Sequence, residues 1–505
     1  MSKTIYINDF SGGIVNDPRS TAENVARVVT NFDVLTDAHR MVPYRDSESG
    51  DSGASTSKKQ NFCIALRTGT TYSLYGLGVV SGGGLAQINY KNLTTGSATD
   101  LDDATWDATA NNASGSGATS FNLFVYYKRT GLIYGAKAGQ YIWAYDPDGS
   151  TSFGETERDL TSFTNICQGL VHSKDDILYI GYDNKIAKND NGSWTSVALT
   201  LPTDLYITSL AEHGNYIAIA CAPLSGVGHS RVFIWDRDSS LTTLSDSIDW
   251  GEEKLQVLEE VDGVLVGISF SGSNSTRFSD RIIFRYLNVS SAVKFAELLG
   301  GTSTQLPIAK QRINNRVYFM MVITLNGATR QGVFSVGRNS PTSGFSIVHE
   351  RTVNNDTDVA GDVLNNFFSV GDYMFISYQQ NSAFALSKTN DTASYTATSI
   401  WESTINPKMP LADRVLDKKL ESVGATYQAF PAGGQAVVQY KVNGGSYETI
   451  FTETATGITR TEPSTIRASD EKAMTDGSEY EFRIACTGGV IPTGLQYTYD
   501  PKPSN

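Results

Sequence analysis

Positive charge is scarce in this chain of 505 residues, which has 40 Lys and Arg against 53 Asp and Glu and a formal net charge of −13. A protein that reads duplex DNA normally presents a basic face to the phosphates, so the charge balance argues against that class. Charged residues of both signs make up only 18% of the chain. Gly, Ser, Thr and Asn take their place, which favours a fold of many strands and turns.

Long hydrophobic runs are also missing. No apolar run approaches the ~20 residues that a membrane helix needs, so we expect no membrane segment. The first ten residues, MSKTIYINDF, lack the apolar core of a secretory signal, so we expect the chain to fold in a cytoplasm. The four cysteines lie far apart with no CxxC pair, which predicts buried free thiols at Cys63, Cys167, Cys221 and Cys486.

Motifs for common catalytic chemistry are absent as well. The five histidines form no HExxH pair, and the chain has no GxSxG, no P-loop and no GxGxxG that opens a helix. Residues 146–157 have calcium-loop spacing, but Gly149 stands at the fourth position instead of the sixth. Residues 190–194 resemble the Asp-box turn of sialidase-type propellers, but the turn occurs once and no carboxylate pair stands out. We therefore predict no enzyme activity, no catalytic residue, no cofactor and no metal.

What the sequence does contain is a repeated order of elements. A turn precedes an apolar run, and a second apolar run follows after a polar loop, at intervals of roughly 40 to 60 residues. The turns are Thr68-Gly69, Gly131, Asp175-Asp176, Gly214-Asn215, Asp262-Gly263, Asn314-Asn315 and Gly371-Asp372. Repeats of this length are expected for propeller blades of four strands, and they predict about seven blades.

The apolar runs distinguish a propeller from a sandwich. Strands of a sandwich with one solvated face alternate apolar and polar residues. Residues 216–222, 264–270 and 317–323 are instead apolar on both faces, as a blade between two other blades requires. The sequence therefore predicts an all-β fold with a β-propeller.

Changes in composition predict three domains. We assign an N-terminal arm to 1–50, the β-propeller to 51–405 and a C-terminal β-sandwich, Ig-like or jelly-roll-like, to 406–505. Alternation of apolar and polar residues is cleaner in the last segment, where Asn443-Gly444 predicts a hairpin turn.

Two local structures are predicted within the arm. Ser20 and Glu23 have capping-box spacing, so the best helix candidate of the chain spans 20–29. Thr4–Ile7 is a short apolar strand, and we expect it to pair with a strand of the last blade, because that pairing closes the ring and removes its open edge.

The arm also carries a resemblance. Its segments F-S-G-G-I, D-P-R, N-F-D and R-x-x-P resemble, in this order, the start of propeller-type tail proteins of tailed bacteriophages. Residues 419–423, 431–434 and 438–441 resemble the sandwich that often accompanies that propeller. The arm positions that match the motifs are Phe10, Gly12, Gly13, Asp17, Pro18, Arg19, Asn31, Asp33 and Arg40.

The resemblance implies a structural protein of the virion tail that is made in the host cytoplasm. Its expected role is a tail nozzle or tail hub component that forms part of the DNA-ejection channel and its closure. The implied partners are other copies in a homo-oligomeric ring and other tail proteins, namely an adaptor, fibres or a spike. Genome DNA would pass without sequence-specific binding, because an acidic channel repels phosphates. The arm would close the propeller or dock a neighbouring subunit.

The alternatives are a tail-tip or spike propeller that binds a host-surface glycan, and an isolated carbohydrate-binding propeller. Such a protein should expose clustered Trp and Tyr side chains in its blade loops. Trp106 falls in a loop, but Trp143 and Trp235 fall in strands that read as core, which weakens these alternatives.

Overall fold

Strands form nearly all of the regular structure in a computed structural model of the chain. The structure describes residues 2–15, 17, 19–20, 24–44, 47–49, 57–69, 71–80, 86–93, 101, 106–111, 119–137, 139–148, 153–225, 228–238, 240–244, 246–271, 281–299, 305–325, 327–353, 363–371, 373–380, 383–389, 395, 397–465 and 477–502. Within these ranges, no helix has the length and apolarity to cross a membrane.

The chain divides into two compact units. The blade unit comprises Glu48–Ile323 and Val359–Asn390, and the terminal unit comprises Met1–Ser47, Thr324–Asp358 and Asp391–Asn505. This division differs from the predicted domains, because the arm and the C-terminal sandwich belong to one unit together with an internal segment. In that unit the first strand of the arm pairs with the last strand of the C-terminal segment, although the two lie far apart in the sequence.

Five sheets of the blade unit each consist of four consecutive strands. In chain order the strands are β6 (Ser57–Thr68), β7 (Thr71–Val80), β8 (Ala86–Asn92), β9 (Asp107–Asn111); β10 (Thr119–Tyr127), β11 (Leu132–Lys137), β12 (Tyr141–Tyr145), β13 (Phe153–Asp159); β14 (Leu170–His172), β15 (Ile177–Tyr182), β16 (Lys185–Asp190), β17 (Ser193–Thr200); β18 (Leu205–His213), β19 (Tyr216–Pro223), β20 (Ser230–Trp235), β21 (Ile248–Gly251); β22 (Lys254–Val261), β23 (Val264–Ser271), β24 (Arg281–Asn288) and β25 (Ser291–Leu299).

Two further sets of strands complete the blade unit. β26 (Gln305–Ile313) pairs antiparallel with β27 (Arg316–Leu325). The last sheet has the order β30-β31-β32-β5. Its strands are β30 (Val363–Val370), β31 (Tyr373–Gln380), β32 (Ala383–Thr389) and β5 (Ser47–Ser49).

All seven predicted turns lie between the first and second strands of these sets, from β6 and β7 to β30 and β31. Asp372 lies outside the described residues. Each turn contains at least one residue with φ between 47° and 76°, the region that Gly, Asn and Asp enter at least cost. The predicted all-β fold with a β-propeller is confirmed.

Alternate side chains of β19 pack against different neighbouring sheets. Ile217 and Ile219 belong to a core shared with Tyr179 of β15. Ala218 lies in a second core, shared with Leu255 of β22. This arrangement explains why the central strands are apolar on both faces, because each face is covered by another blade.

The first strands of neighbouring sheets contact one another. β6 contacts β10, β18 contacts both β14 and β22, and β26 contacts both β22 and β30. β30 in turn contacts β6. An apolar core also joins the first and last sheets; it includes Phe62, Leu74, Trp106, Phe375 and Leu386.

The terminal unit contains two main sheets. One has the order β1-β39-β34-β37, and the strands β28-β29-β2-β33-β38-β35-β36 lie side by side in the other. The bounds are β1 (Lys3–Ile7), β2 (Ala26–Thr30), β28 (Ala328–Gly337), β29 (Ser346–Thr352), β33 (Ser399–Ser403), β34 (Lys418–Tyr427), β35 (Gln435–Val442), β36 (Glu448–Glu453), β37 (Arg460–Thr465), β38 (Tyr480–Thr487) and β39 (Pro492–Pro501). A short pair, β3 (Phe32–Asp33) with β4 (Val42–Pro43), and one helical turn, α1 (Leu411–Arg414), complete the unit.

The C-terminal strands β34–β39 form the predicted sandwich, three in each sheet. Phe482 of β38 packs on Tyr497 of β39, with ring centroids 4.7 Å apart. Strand β1 extends one sheet of this sandwich, and β33 and β2 extend the other.

Two predictions for the arm are wrong. Thr4–Ile7 lies in β1, which pairs with β39 of the sandwich and not with the last blade; the last sheet instead receives β5. The predicted helix 20–29 is a strand from Ala26 onward. Val28 and Val29 are buried where β2 pairs with β33, and β-branched residues in such a pairing favour a strand over a helix. Residues 21–23 lie outside the described residues.

Candidate functional site

Gly12 and Gly13 lie where the arm backbone closely approaches other segments of the terminal unit. The Gly12 NH donates to the Asn24 carbonyl at 3.1 Å, and the Ile14 NH donates to the Ile347 carbonyl at 2.8 Å. A Cβ on Gly12 would stand 2.5 Å from the carbonyl carbon of Asn24. Gly13 has a φ of 68°, and a Cβ there would stand 2.7 Å from the carbonyl oxygen of Ile347. Both positions therefore have no room for a side chain.

Phe10 and Asn31 connect the arm to segments far along the chain. Phe10 is fully buried and stands edge-on to Trp401, with ring centroids 5.6 Å apart. The side-chain amide of Asn31 donates to the Thr398 carbonyl at 3.2 Å and accepts from the Thr352 NH at 3.2 Å. Both residues thus hold the arm within its own unit.

The acidic residues of the motif organise turns. The Asp33 carboxylate accepts from the backbone NH groups two and three residues later, at 2.9 and 3.0 Å. Asp17 accepts from the Arg19 NH at 2.9 Å, and the Arg19 guanidinium pairs with Glu479 at 2.7 Å. Side chains that bond to nearby backbone groups stabilise turns. Pro18 lies outside the described residues.

A buried carboxyl group lies close to the arm. Glu350 receives short hydrogen bonds from the hydroxyls of Tyr44 and Ser335, and burial raises the pKa of Glu350 well above its ordinary value. The adjacent His349 stacks on Phe334 with ring centroids 4.3 Å apart. Burial lowers the pKa of His349 to about 3, so its imidazole is neutral at physiological pH.

Arg40, the last motif residue, lines an open groove of about 590 Å³ on the terminal unit. The lining residues of this arm groove are Asn8, Asp37, His39, Arg40, Gln428 and Thr493. They come from four segments: the end of β1, the loop after β3, the end of β34 and the start of β39. Gln428 and Thr493 could not be predicted as neighbours of the arm, because no local motif links them to it.

Hydrogen bonds fix the arm side of the groove. The Arg40 Nε donates to Asp37 Oδ2 at 2.6 Å, and the His39 NH donates to Asp37 Oδ1 at 2.9 Å. The bond from the His39 NH, followed by those with Arg40, lowers the pKa of Asp37. His39 Nδ1 lies 2.7 Å from the Asn8 carbonyl, so Nδ1 carries the proton and donates.

In the blade unit, ionisable side chains bridge the ends of neighbouring first strands. His213 Nδ1 lies 2.6 Å from Glu260 Oε2, and Arg312 approaches the same carboxylate at 3.8 Å. The Ser173 NH donates to Glu212 Oε2 at 3.1 Å. These contacts join β14 to β18, β18 to β22 and β22 to β26, so they fasten adjacent sheets. Partners 47 residues apart, as His213 and Glu260 are, leave no local sequence signal.

The part of the chain that the structure describes contains no group of three His, Cys, Asp or Glu side chains arranged to hold a metal ion. In residues 146–157, the segment with calcium-loop spacing, Asp146 accepts from the Asp148 NH at 2.9 Å, as in an ordinary turn. Asp190 pairs with Arg129 at 2.7 Å. All four cysteines are buried and free, which confirms that prediction.

The tryptophans that bear on the glycan alternative are buried. Trp106 is only 5% exposed and stands edge-on to Phe375, with ring centroids 5.7 Å apart. Trp106 is therefore buried, although the sequence places it in a loop. Trp143 and Trp235 are each 1% exposed, as their strand positions predict.

No protein-family model matches the chain, and no curated protein matches it. Similar solved structures include an exo-β-1,3-galactanase from Phanerochaete chrysosporium, with 11% identity over 98% of this chain and 100% of that chain and a TM-score of 0.30. The Cps50 (Swd1) β-propeller domain from Myceliophteria thermophila has 8% identity over 67% of this chain and 98% of that chain, with a TM-score of 0.39. A Trypanosoma rangeli sialidase has 10% identity over 91% and 96%, with a TM-score of 0.34. These TM-scores are too low to carry an argument about activity.

Proposed function

We propose that the chain is a structural, non-enzymatic component of the tail of a tailed bacteriophage, a nozzle or hub subunit. The observation that supports the proposal is that residues of the arm motif hold the arm against other segments of the terminal unit. Phe10 packs on Trp401, Gly13 approaches Ile347, and Asn31 bonds to Thr352. The Asn31 side chain bonds to backbone groups, and such bonds stabilise the local conformation of the chain.

The edge of β1 supports assembly with neighbouring subunits. Among the residues that the structure describes, β1 is the terminal strand of its sheet and pairs with β39 alone. The other edge therefore offers backbone NH and CO groups for pairing with a second chain. Tyr6 on this strand is 62% exposed, so contact with a neighbour would also bury an aromatic ring. In a ring of such subunits, the net charge of −13 disfavours adhesion of passing DNA.

Removal of residues 2–7 tests the proposal. We expect the full-length chain to form rings or to enter particles in a complementation assay, and the truncated chain to lose assembly because the edge strand is gone. Electron microscopy detects rings and incorporation into particles, and analytical ultracentrifugation measures the oligomeric state of each chain. A matched control is Val289→Lys, which changes the 93%-exposed Val289 of the blade unit and should leave assembly unchanged.

Two results contradict the proposal. One is a full-length chain that stays monomeric and is absent from particles. The other is hydrolysis of a host polysaccharide by the purified protein that disappears when a carboxylate pair is substituted, because it would establish an enzyme.

A further inference from the structure

A fully buried lysine lies at the start of the C-terminal sandwich. Lys418, the first residue of β34, is 0% exposed. Within the described part of the chain its Nζ donates a single hydrogen bond, to the Ser478 carbonyl at 2.5 Å, and no carboxylate is ion-paired with it. An ammonium group has three N–H donors and a full charge, so its burial without an ion pair is costly. One hydrogen bond does not offset that cost.

A buried asparagine shares the hydrogen-bond acceptor of this lysine. Asn406 is 1% exposed, and its Nδ2 donates to the Ser478 carbonyl at 2.7 Å and to the Arg414 carbonyl at 3.2 Å. Two nitrogens that bind one oxygen at such distances are neighbours, so Lys418 Nζ lies beside the side-chain amide of Asn406. The shared acceptor is itself fixed, because the Ser478 NH donates to Asn443 Oδ1 at 3.2 Å.

We propose that the side chains of Lys418 and Asn406 are joined by a covalent isopeptide bond. Lys418 Nζ attacks Cγ of Asn406, the bond from Cγ to Nδ2 breaks, and the leaving nitrogen takes the electron pair of that bond. The lysine ammonium gives up two protons and the leaving nitrogen gains two, so the products are a neutral amide and an ammonium ion. The reaction needs no oxidant and no other reagent. It is independent of the tail role, because it rests on this pair of side chains alone.

Backbone groups around Asn406 favour attack on its amide. The Tyr480 NH donates to Asn406 Oδ1 at 3.0 Å, and a donor in this position stabilises the negative charge that develops on the oxygen when Cγ is attacked. The carbonyls of Ser478 and Arg414, which accept from Nδ2, can also accept from the departing ammonium. Both polar atoms of the amide are therefore held in place while its carbon reacts.

The amine of this lysine becomes a nucleophile at a lower pH than that of an ordinary lysine. Burial lowers the pKa of Lys418 to about 8, although the charges of Asp417, Asp413 and Glu479 act in the opposite direction. Only the unprotonated amine attacks, and a pKa near 8 leaves about a tenth of it unprotonated at pH 7. Formation of the amide also removes the buried charge, which favours the product over the two free side chains.

The bond closes residues 406–418 into a ring that contains the helical turn α1. Asp413 of α1 is ion-paired with Lys3 of the arm at 2.6 Å, so the isopeptide fixes the segment to which the first strand of the chain is anchored. Like a disulfide that closes a short loop, it restricts the unfolded chain.

The test is the mass of the full-length protein. Electrospray mass spectrometry should find one ammonia less than the sequence requires, with or without the first methionine. Trypsin should release residues 389–408 and 415–419 as one branched peptide, because it does not cleave after a modified Lys418. Lys418→Arg and Asn406→Ala should each restore the full mass of their own sequences. Lys419→Arg, at the adjacent exposed lysine, is the matched control and should keep the deficit.

The wild-type protein alone can overturn the proposal, whether or not a variant folds. A wild-type chain that melts cooperatively and has the full mass of its sequence contains no such bond. A deficit that persists in Lys418→Arg places the loss of ammonia at other residues, as does a branched peptide that lacks Asn406.

Discussion

Lys3 Nζ lies 2.6 Å from Asp413 Oδ2, so the first strand of the chain is ion-paired with the helical turn that precedes the sandwich. The Asp413 side chain is 6% exposed and that of Lys3 is 46% exposed. The hydroxyl of Tyr499 donates to the same carboxylate at 2.6 Å. The arm is therefore held by a buried carboxylate as well as by pairing of β1 with β39.

Replacing Asp413 by Asn should destabilise the terminal unit by about 1 kcal/mol at pH 7, because it removes a charge-assisted hydrogen bond. Bonds from Lys3 and then Tyr499 lower the pKa of Asp413. A lowered pKa contributes stability above the unfolded-state pKa, and this contribution disappears as the pH falls through the folded-state pKa. The gap in unfolding free energy between wild type and Asp413→Asn should therefore shrink in acid. Asp204→Asn at an exposed site should show no such gap, and a gap that grows in acid would contradict the assignment.

Ile219→Asp should prevent stable folding of the blade unit. Ile219 lies on the face of β19 that packs against the preceding sheet, so the new carboxylate would be buried without a partner, at a cost of about 3 kcal/mol or more. Solubility and thermal melts measure the effect. Tyr216→Asp on the same strand changes a 45%-exposed residue and should stay close to wild type. Coinciding melts for Ile219→Asp and wild type would refute packing of β19 between two sheets.

Local patterns predicted the propeller because its hairpins depend on neighbouring residues. Asp176, Gly263 and Asn314 adopt the positive φ that their turns need. The apolar run of β19 is also visible in the local sequence, and it indicates that both faces of the strand are buried. Such signals do not depend on which distant strand is the partner.

Partner choice was not predictable in the same way. Thr4–Ile7 reads as a strand, but the pattern of a short apolar strand fits any open edge, and the sandwich supplies one at β39. The capping spacing of Ser20 and Glu23 favours a helix locally, and pairing of β2 with β33 overrides it. No sequence pattern predicts the arm groove, because Asn8, Arg40 and Gln428 meet only in the folded unit.

Gly13→Ala should destabilise the protein more than Gly444→Ala does. Both residues have positive φ, 68° at Gly13 and 73° at Gly444, so both substitutions strain the backbone by about 1 kcal/mol. Only at Gly13 would the Cβ stand 2.7 Å from a carbonyl oxygen, whereas Gly444 has open space around it. We expect about 3 kcal/mol or more at Gly13, measured by urea unfolding. Equal losses at the two sites would mean that the arm does not pack on Ile347.

The buried Glu350 supports a prediction of opposite pH dependence. Burial and then the nearby Asp33 raise the pKa of Glu350, while Arg351 lowers it, and the net shift is strongly upward. The unfolded chain loses this proton near pH 4.5 and the folded chain keeps it, so stability falls as the pH rises through that window, by about 1.4 kcal/mol per pH unit.

Glu350→Gln removes this titration and keeps the shape of a neutral carboxyl. The variant should match wild type near pH 4 and become the more stable of the two as the pH rises, because wild type alone must hold a proton or bury a charge. Unfolding free energies by urea titration at several pH values measure the difference. Glu402→Gln is the control, because that buried carboxylate is ion-paired with Arg483 and its loss should destabilise at neutral pH. If Glu350→Gln instead lost stability relative to wild type as the pH rose, Glu350 would be ionised in the fold and its hydroxyl partners would be stabilising the charge.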